Sequence, residues 1–148
     1  MQFKECYQNP FIEERADPYI TLGPDGYYYF TASYPMKSAD DKDGYDRVIL
    51  RRAKDISELA SAEEITIWKV ADTTLTHRFI WAPELHYIAG RWYVFYAGSE
   101  DKENNWAFDC HVLVCDSDDP YTGTWSEKGK FQKREDDDFS FTGFSLDM

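Results

Sequence analysis

No stretch of this sequence approaches the ~18 consecutive apolar residues of a membrane-spanning helix. The opening residues MQFKECYQNPF hold no apolar signal segment. Together these absences lead us to expect a soluble, cytoplasmic protein. Basic residues are also in short supply: 16 Lys and Arg stand against 28 Asp and Glu, a net charge of −12. A field of that sign repels phosphate backbones and anionic lipid surfaces, so neither nucleic acid nor a membrane is an expected partner. A neutral ligand such as a sugar is compatible with it, and the charge also serves plain solubility. Cysteine is scarce and odd in number: Cys6, Cys110 and Cys115. No paired framework is visible, which suggests free thiols in a reducing compartment. Cys110 and Cys115 flank His111, but an odd separation on a strand puts them on opposite faces and argues against a shared metal. The acidic run 135–138, EDDD, lacks the alternating ligands and central glycine of a calcium loop and reads as a solvated loop. No metal or other cofactor is expected. Helical signal is nearly missing as well, with 55–62, DISELASA, as one possible turn.

Aromatic residues are abundant, at 18% with 11 Tyr, 10 Phe and 5 Trp. They favour strands and flat stacking surfaces. They also recur. Residues 18–33, PYITLGPDGYYYFTAS, and 83–99, PELHYIAGRWYVFYAGS, share a proline, a short apolar stretch, a glycine turn and an aromatic strand ending in serine. The steps from Pro18 to Pro83, from Gly26 to Gly90 and from Ser33 to Ser99 are nearly equal, which is the mark of a repeated unit. The following segments VILRRA (48–53) and VLVC (112–115) also correspond. Runs of aromatic and β-branched residues bounded by turns predict strands, with hairpin turns at Pro24-Asp25-Gly26 and Ala89-Gly90. Ile65 to Val70 and the stretch around Trp125 supply a fourth strand to each unit. Four antiparallel strands per ~65 residues fit a propeller blade better than an immunoglobulin-like sandwich.

The expected fold is therefore all-β, an incomplete β-propeller. A first blade covers about 14–78, a second about 79–142, and 143–148 begin a third. Two blades do not close a ring, since propellers use ~4–8, and the exposed strand edges of an open ring invite aggregation. The chain accordingly reads as part of a longer protein. Asp17 and Asp147 stand two repeats apart along the chain. On the innermost strands they would face each other across the central funnel. Two such carboxylates suit inverting glycoside hydrolysis, in which a base and an acid sit roughly 6.5–9.5 Å apart and a third charge raises the pKa of the acid. Asp17-Pro18 is also compatible with a plain turn.

In order along the chain stand RADPYI (15–20), DGYYYFTAS (25–33), DRVILRRAKDISEL (46–59), HRFIWAPELHYIAGRWYVFYA (77–97) and FSLD (144–147). This series resembles the N-terminal part of glycoside hydrolase family 43. The resemblance implies a five-bladed β-propeller and an inverting mechanism on arabinofuranosyl or xylosyl linkages of plant cell-wall polysaccharides. It further implies Asp17 as general base and Asp147 as the residue that tunes the pKa of the general acid. That acid is a glutamate of the following blade in the family. No residue of this chain fills the place, so the chain by itself is expected to be inactive. Glu84 falls in the WAPE segment and reads as structural or supporting. Trp81 suits either stacking on a sugar ring or filling the core between blades; Phe79 and His77 are weaker candidates for the sugar. His86 and His111 read as ordinary strand residues. The implied activity is that of an α-L-arabinofuranosidase acting on arabinose- or xylose-containing saccharides. A β-xylosidase or endo-arabinanase of the same fold, or a non-catalytic sugar-binding propeller, are the alternatives.

Overall fold

The computed structural model of the chain describes residues 9–38, 44–72, 78–99 and 108–131. Cys6, His77, the acidic run 135–138 and Asp147 lie outside them. Among the described residues eight strands follow one another: β1 (Ala16–Leu22), β2 (Tyr28–Ser33), β3 (Arg47–Ala53), β4 (Ile65–Lys69), β5 (Arg78–Ile88), β6 (Arg91–Ser99), β7 (Phe108–Cys115) and β8 (Trp125–Lys130). They form two antiparallel four-stranded sheets, ordered β1-β2-β3-β4 and β5-β6-β7-β8. Two successive meanders packed face to face are the arrangement of neighbouring propeller blades.

Local chemistry explains the connections. Ala89 and Gly90 both take positive φ, 50° and 84°, as the two central residues of a twist-matched two-residue hairpin must. The first hairpin is longer: Gly26 N donates to Gly23 O at 3.0 Å, and the Asp25 carboxylate accepts from Tyr27 N at 3.1 Å and from the Tyr29 hydroxyl at 2.6 Å. The expected helical turn is a single 3-10 turn, Ile56–Glu58. Asp55 caps it by accepting from Ser57 N at 2.8 Å.

Alternation along the strands sends one face of each sheet into a shared core. Tyr29, Val48 and Leu50 of the first sheet meet Leu85, Trp92, Val94, Leu113 and Cys115 of the second. Tyr29 lies edge-on to Trp92 at 5.1 Å. Each large side chain fully buried there contributes ~1.5–3 kcal/mol. The other face of the first sheet carries a smaller cluster of Phe30, Ala32, Ile49 and Leu59, packed against Phe11 and Ile12. Cys115 belongs to the core between the sheets and Cys110 does not, as the alternation requires. β1 and β5 are edge strands, and β5 runs against both β1 and β2. That packing determines which residues of the two sheets can form one site.

Candidate functional site

Asp17 sits where β1 leaves its ladder. Ala16 pairs with Ser33 and Tyr19 with Thr31, so two residues of β1 face a single residue of β2. Asp17 is the first of the two, with φ 49°, a conformation aspartate tolerates better than most. A bulge of this kind re-aims a side chain, and Asp17 is an exposed residue. Its Oδ2 accepts from the Ser33 hydroxyl at 2.8 Å, and the Ser33 Oγ in turn accepts from Ala82 N at 2.8 Å. Ser33 is completely buried.

Two residues upstream, Arg15 ties the start of β1 to the 59–64 loop. Its guanidinium donates to both oxygens of Glu64, and Arg51 Nε donates to Glu64 Oε2 at 3.1 Å. Burial alone would push the Glu64 carboxyl up; the hydrogen bonds and charges of Arg15 and then Arg51 outweigh it and hold the carboxyl below its ordinary value. Arg15 and Arg47 both lie over the Tyr34 ring, at 4.3 and 4.4 Å. Asp17 is thus braced from Arg15 before it and from Ser33 across the ladder.

On the second sheet, β5 is bulged twice, between Arg78 and Trp81 and between Trp81 and Glu84. Phe79 and Ala82 adopt φ of 58° and 43° there. Such conformations cost about 1–3 kcal/mol each and persist when surrounding contacts impose them. Some of those contacts are visible. Ile80 N donates to Tyr45 O at 2.8 Å, and the Trp81 ring stacks on Phe108 at 4.4 Å with Tyr45 and Phe79 packed at 5.6 and 5.3 Å. Trp81 is half-buried, whereas Phe79 is 9% exposed and backs the cluster. Glu84 is buried, with Oε2 2.9 Å from His86 Nε2. The His86 ring lies 5.2 Å from that of Tyr19. Burial, then the Glu84 charge, raises the Tyr19 hydroxyl pKa. Burial, then Glu84 and Asp109, pushes the Cys110 thiol up to about 12. His111 is buried, with Nε2 3.2 Å from Gly98 O and its ring stacked on Tyr96.

The Ala82–Ser33–Asp17 hydrogen bonds bring the DP segment of β1 and the WAPE segment of β5 into one place. Asp17 is thereby linked to the residue that follows Trp81, whose ring packs against Phe79. Asp147 lies outside the described residues. Ser33 was visible in the sequence as the serine that ends each aromatic strand, but nothing there linked it to Asp17. The register also corrects the repeat. Ser33 and Ser99 are equivalent, opposite Ala16 and Arg78 respectively, but Asp17 matches Phe79 and Pro18 matches Ile80. Pro83 belongs to the second bulge of β5, which β1 lacks. The regular spacing of the two prolines is not a structural equivalence.

An extracellular exo-alpha-(1->5)-L-arabinofuranosidase of Streptomyces avermitilis is 44% identical over 124 residues, covering 84% of this chain and 24% of its own length. A protein of the same name from Streptomyces chartreusis is 40% identical over 141 residues, covering 95% of this chain and 38% of its own. The crystal structure of an alpha-L-arabinofuranosidase from Lactobacillus brevis superposes with a TM-score of 0.71 at 40% identity, over 85% of this chain and 39% of that one. The chain thus spans about a quarter to two-fifths of the length of these relatives. The extracellular names overturn the expectation of a cytoplasmic protein. The thiols give that expectation no support either: Cys110 and Cys115 are free but buried, with both pKa values raised. Inert thiols of that kind say nothing about the redox state of the compartment. The family model for glycosyl hydrolases family 43 matches residues 7–147, and the chain belongs to that family.

Proposed function

We propose that this chain supplies the first two blades of an inverting α-L-arabinofuranosidase, secreted like its Streptomyces relatives, in which Asp17 is the general base. The observation that carries the reading is the placement of Asp17: exposed on a bulge, with one oxygen engaged by a buried hydroxyl that also accepts from Ala82 N, the residue after the half-buried Trp81. An exposed carboxylate held at one oxygen can take a proton from water at the other. Trp81 offers an aromatic face for the apolar C–H face of a furanose ring, with Phe79 as its support. Asp147 tunes the general acid, and the acid itself is a glutamate of a later blade, as the family resemblance implies. The substrate is an arabinose- or xylose-containing oligosaccharide or polysaccharide. The outer face of the second sheet, lined by Ile88, Tyr93, Phe95, Val112 and Phe131, suits packing by a third blade that begins near 143. The names of the relatives favour the arabinofuranosidase over the β-xylosidase, endo-arabinanase and non-catalytic alternatives.

The test is hydrolysis of aryl α-L-arabinofuranoside and aryl β-D-xyloside by a protein in which this sequence is continued to the length of its relatives. Activity on the arabinofuranoside is expected, and Asp17→Asn should lower turnover by ~10²–10⁴-fold, the range of positioned acid–base catalysis. Near-normal turnover in that variant refutes the assigned role. Preference for the xyloside moves the assignment to a β-xylosidase, and inactivity on both supports a binding propeller.

A further inference from the structure

We infer that Ser33 is a positioning residue for Asp17, relaying a backbone donor of the second sheet to the carboxylate of the first; this rests on the general-base reading of Asp17. The hydroxyl of Ser33 has one proton and is completely buried, so its hydrogen bonds can be accounted for in full. Ala82 N–H points at Oγ from 2.8 Å and must donate, since an amide has nothing to accept with. The serine proton is then left for Asp17 Oδ2, also at 2.8 Å, which as a carboxylate oxygen can accept but not give. Both ends fix the direction of the relay.

The relay exists because both strands are bulged. Ala82, with φ 43°, falls between the ladder pairs Trp81↔Ala97 and Glu84↔Phe95, so its N–H is available outside the ladder. Asp17, with φ 49°, falls in the bulge of β1 directly after the residue that pairs with Ser33. An aspartate on an exposed bulge has two side-chain torsions to settle. The bond to Ser33 settles them by taking Oδ2, and among the described residues no partner occupies Oδ1. That oxygen is left to a water. Ser33 touches neither the water nor a sugar in this arrangement; it acts through Asp17. The same relay joins the two sheets at the site, so the position of the base is referred to the strand that carries Trp81.

Four proteins continued to the length of the relatives test this: the parent, Ser33→Ala, Asp17→Asn and the double variant, assayed on whichever aryl glycoside the parent hydrolyses. Ser33→Ala is expected to lower kcat about tenfold or more, because misplacing a reacting group is costly, with KM unchanged within about twofold, the signature of a lost transition-state interaction. In the Asp17→Asn background the same substitution should change the residual kcat by less than about twofold, since residues that act as one unit are not additive. Any loss of folded protein is common to both Ser33→Ala proteins and cancels in the comparison. Equal fold-losses in the two backgrounds, or no loss in the parent, would overturn the positioning role. Near-normal kcat in Asp17→Asn alone is a separate result, and it overturns the general-base reading instead.

Discussion

Replacing Glu64 by alanine withdraws one carboxylate from two guanidinium groups at once. The side chains of Arg15, Arg51 and Glu64 are 11%, 14% and 18% exposed, so solvent screens this cluster little. Removing one partner of a buried ion pair costs about 3–5 kcal/mol, chiefly because the other charge is stranded. Here the stranding is partial. Arg51 Nη1 keeps the carbonyls of Leu59 and Ala60 at 3.2 and 2.9 Å, and Arg15 keeps the Glu14 carbonyl and the Tyr34 ring. The loss should therefore fall at the low end, about 3 kcal/mol.

Urea unfolding of the 148-residue chain, followed by tryptophan fluorescence, reads this directly. With a slope of ~1–3 kcal/mol/M, the midpoint should fall by ~1–3 M while the slope stays constant. The pH dependence supplies an independent check. The folded pKa of Glu64 is depressed below its ordinary value of 4.5, so its stabilisation is complete above that value and is lost as pH falls through the folded one. The gap between parent and Glu64→Ala should be constant from neutral pH down to about 4.5 and then narrow in acid. A gap under ~1 kcal/mol at neutral pH, the worth of an exposed pair, would refute the claim that the network is a buried unit. So would a gap that does not narrow in acid.

Asp119→Ala should cost about 1–2 kcal/mol, mainly through lost turn hydrogen bonds from Tyr121 N and Thr122 Oγ1. Its pair with Arg52 is 38% exposed on the acid side and adds only ~0.2–1 kcal/mol after screening, so urea midpoints should show little change in the mutational effect with added salt. Gly90→Ala should cost ~1–2 kcal/mol from backbone strain alone, because φ is 84° and an added Cβ meets nothing within 4 Å; a neutral result in the same assay contradicts the assigned turn. Cys110 and Cys115, both buried with raised pKa values, should resist a soluble thiol reagent at mildly alkaline pH until the chain unfolds, and peptide mapping of the labelled protein would reveal any exception.

The strands were legible because their residues signal locally. Tyr28–Ser33 and Arg91–Ser99 are aromatic and β-branched runs closed by turn residues, and Asp55 announces its 3-10 turn by capping chemistry. The site was legible in part. The DP and WAPE segments were singled out by resemblance, and the packing of β5 against β1 and β2 brings them together. The register at which they meet was not legible. A bulge inserts a residue without altering composition, and Phe79 and Ala82 are poor indicators of positive φ. Ser33 carried no functional signal either, because its two hydrogen-bond partners, Asp17 and Ala82, are far from it along the chain.

The corrected register changes which argument supports the second carboxylate. Asp17 and Phe79 both open the first bulge of their sheet, and the step between them is shorter than the step from Pro18 to Pro83. The interval from Asp17 to Asp147 is therefore not two equal steps at this place in the blade, and spacing alone does not make Asp147 the counterpart of Asp17. Its proposed role rests on the family resemblance. What the structure adds is a reason for the site to form on these strands at all. A hydrogen-bonded residue of an edge ladder commits its backbone donor to the neighbouring strand, whereas the extra residue of a bulge is left unpaired. At Asp17 the bulge turns a side chain out toward solvent, and at Ala82 it frees an N–H to brace that side chain through Ser33. Straightening either bulge would remove one end of the relay while leaving the composition of the site unchanged.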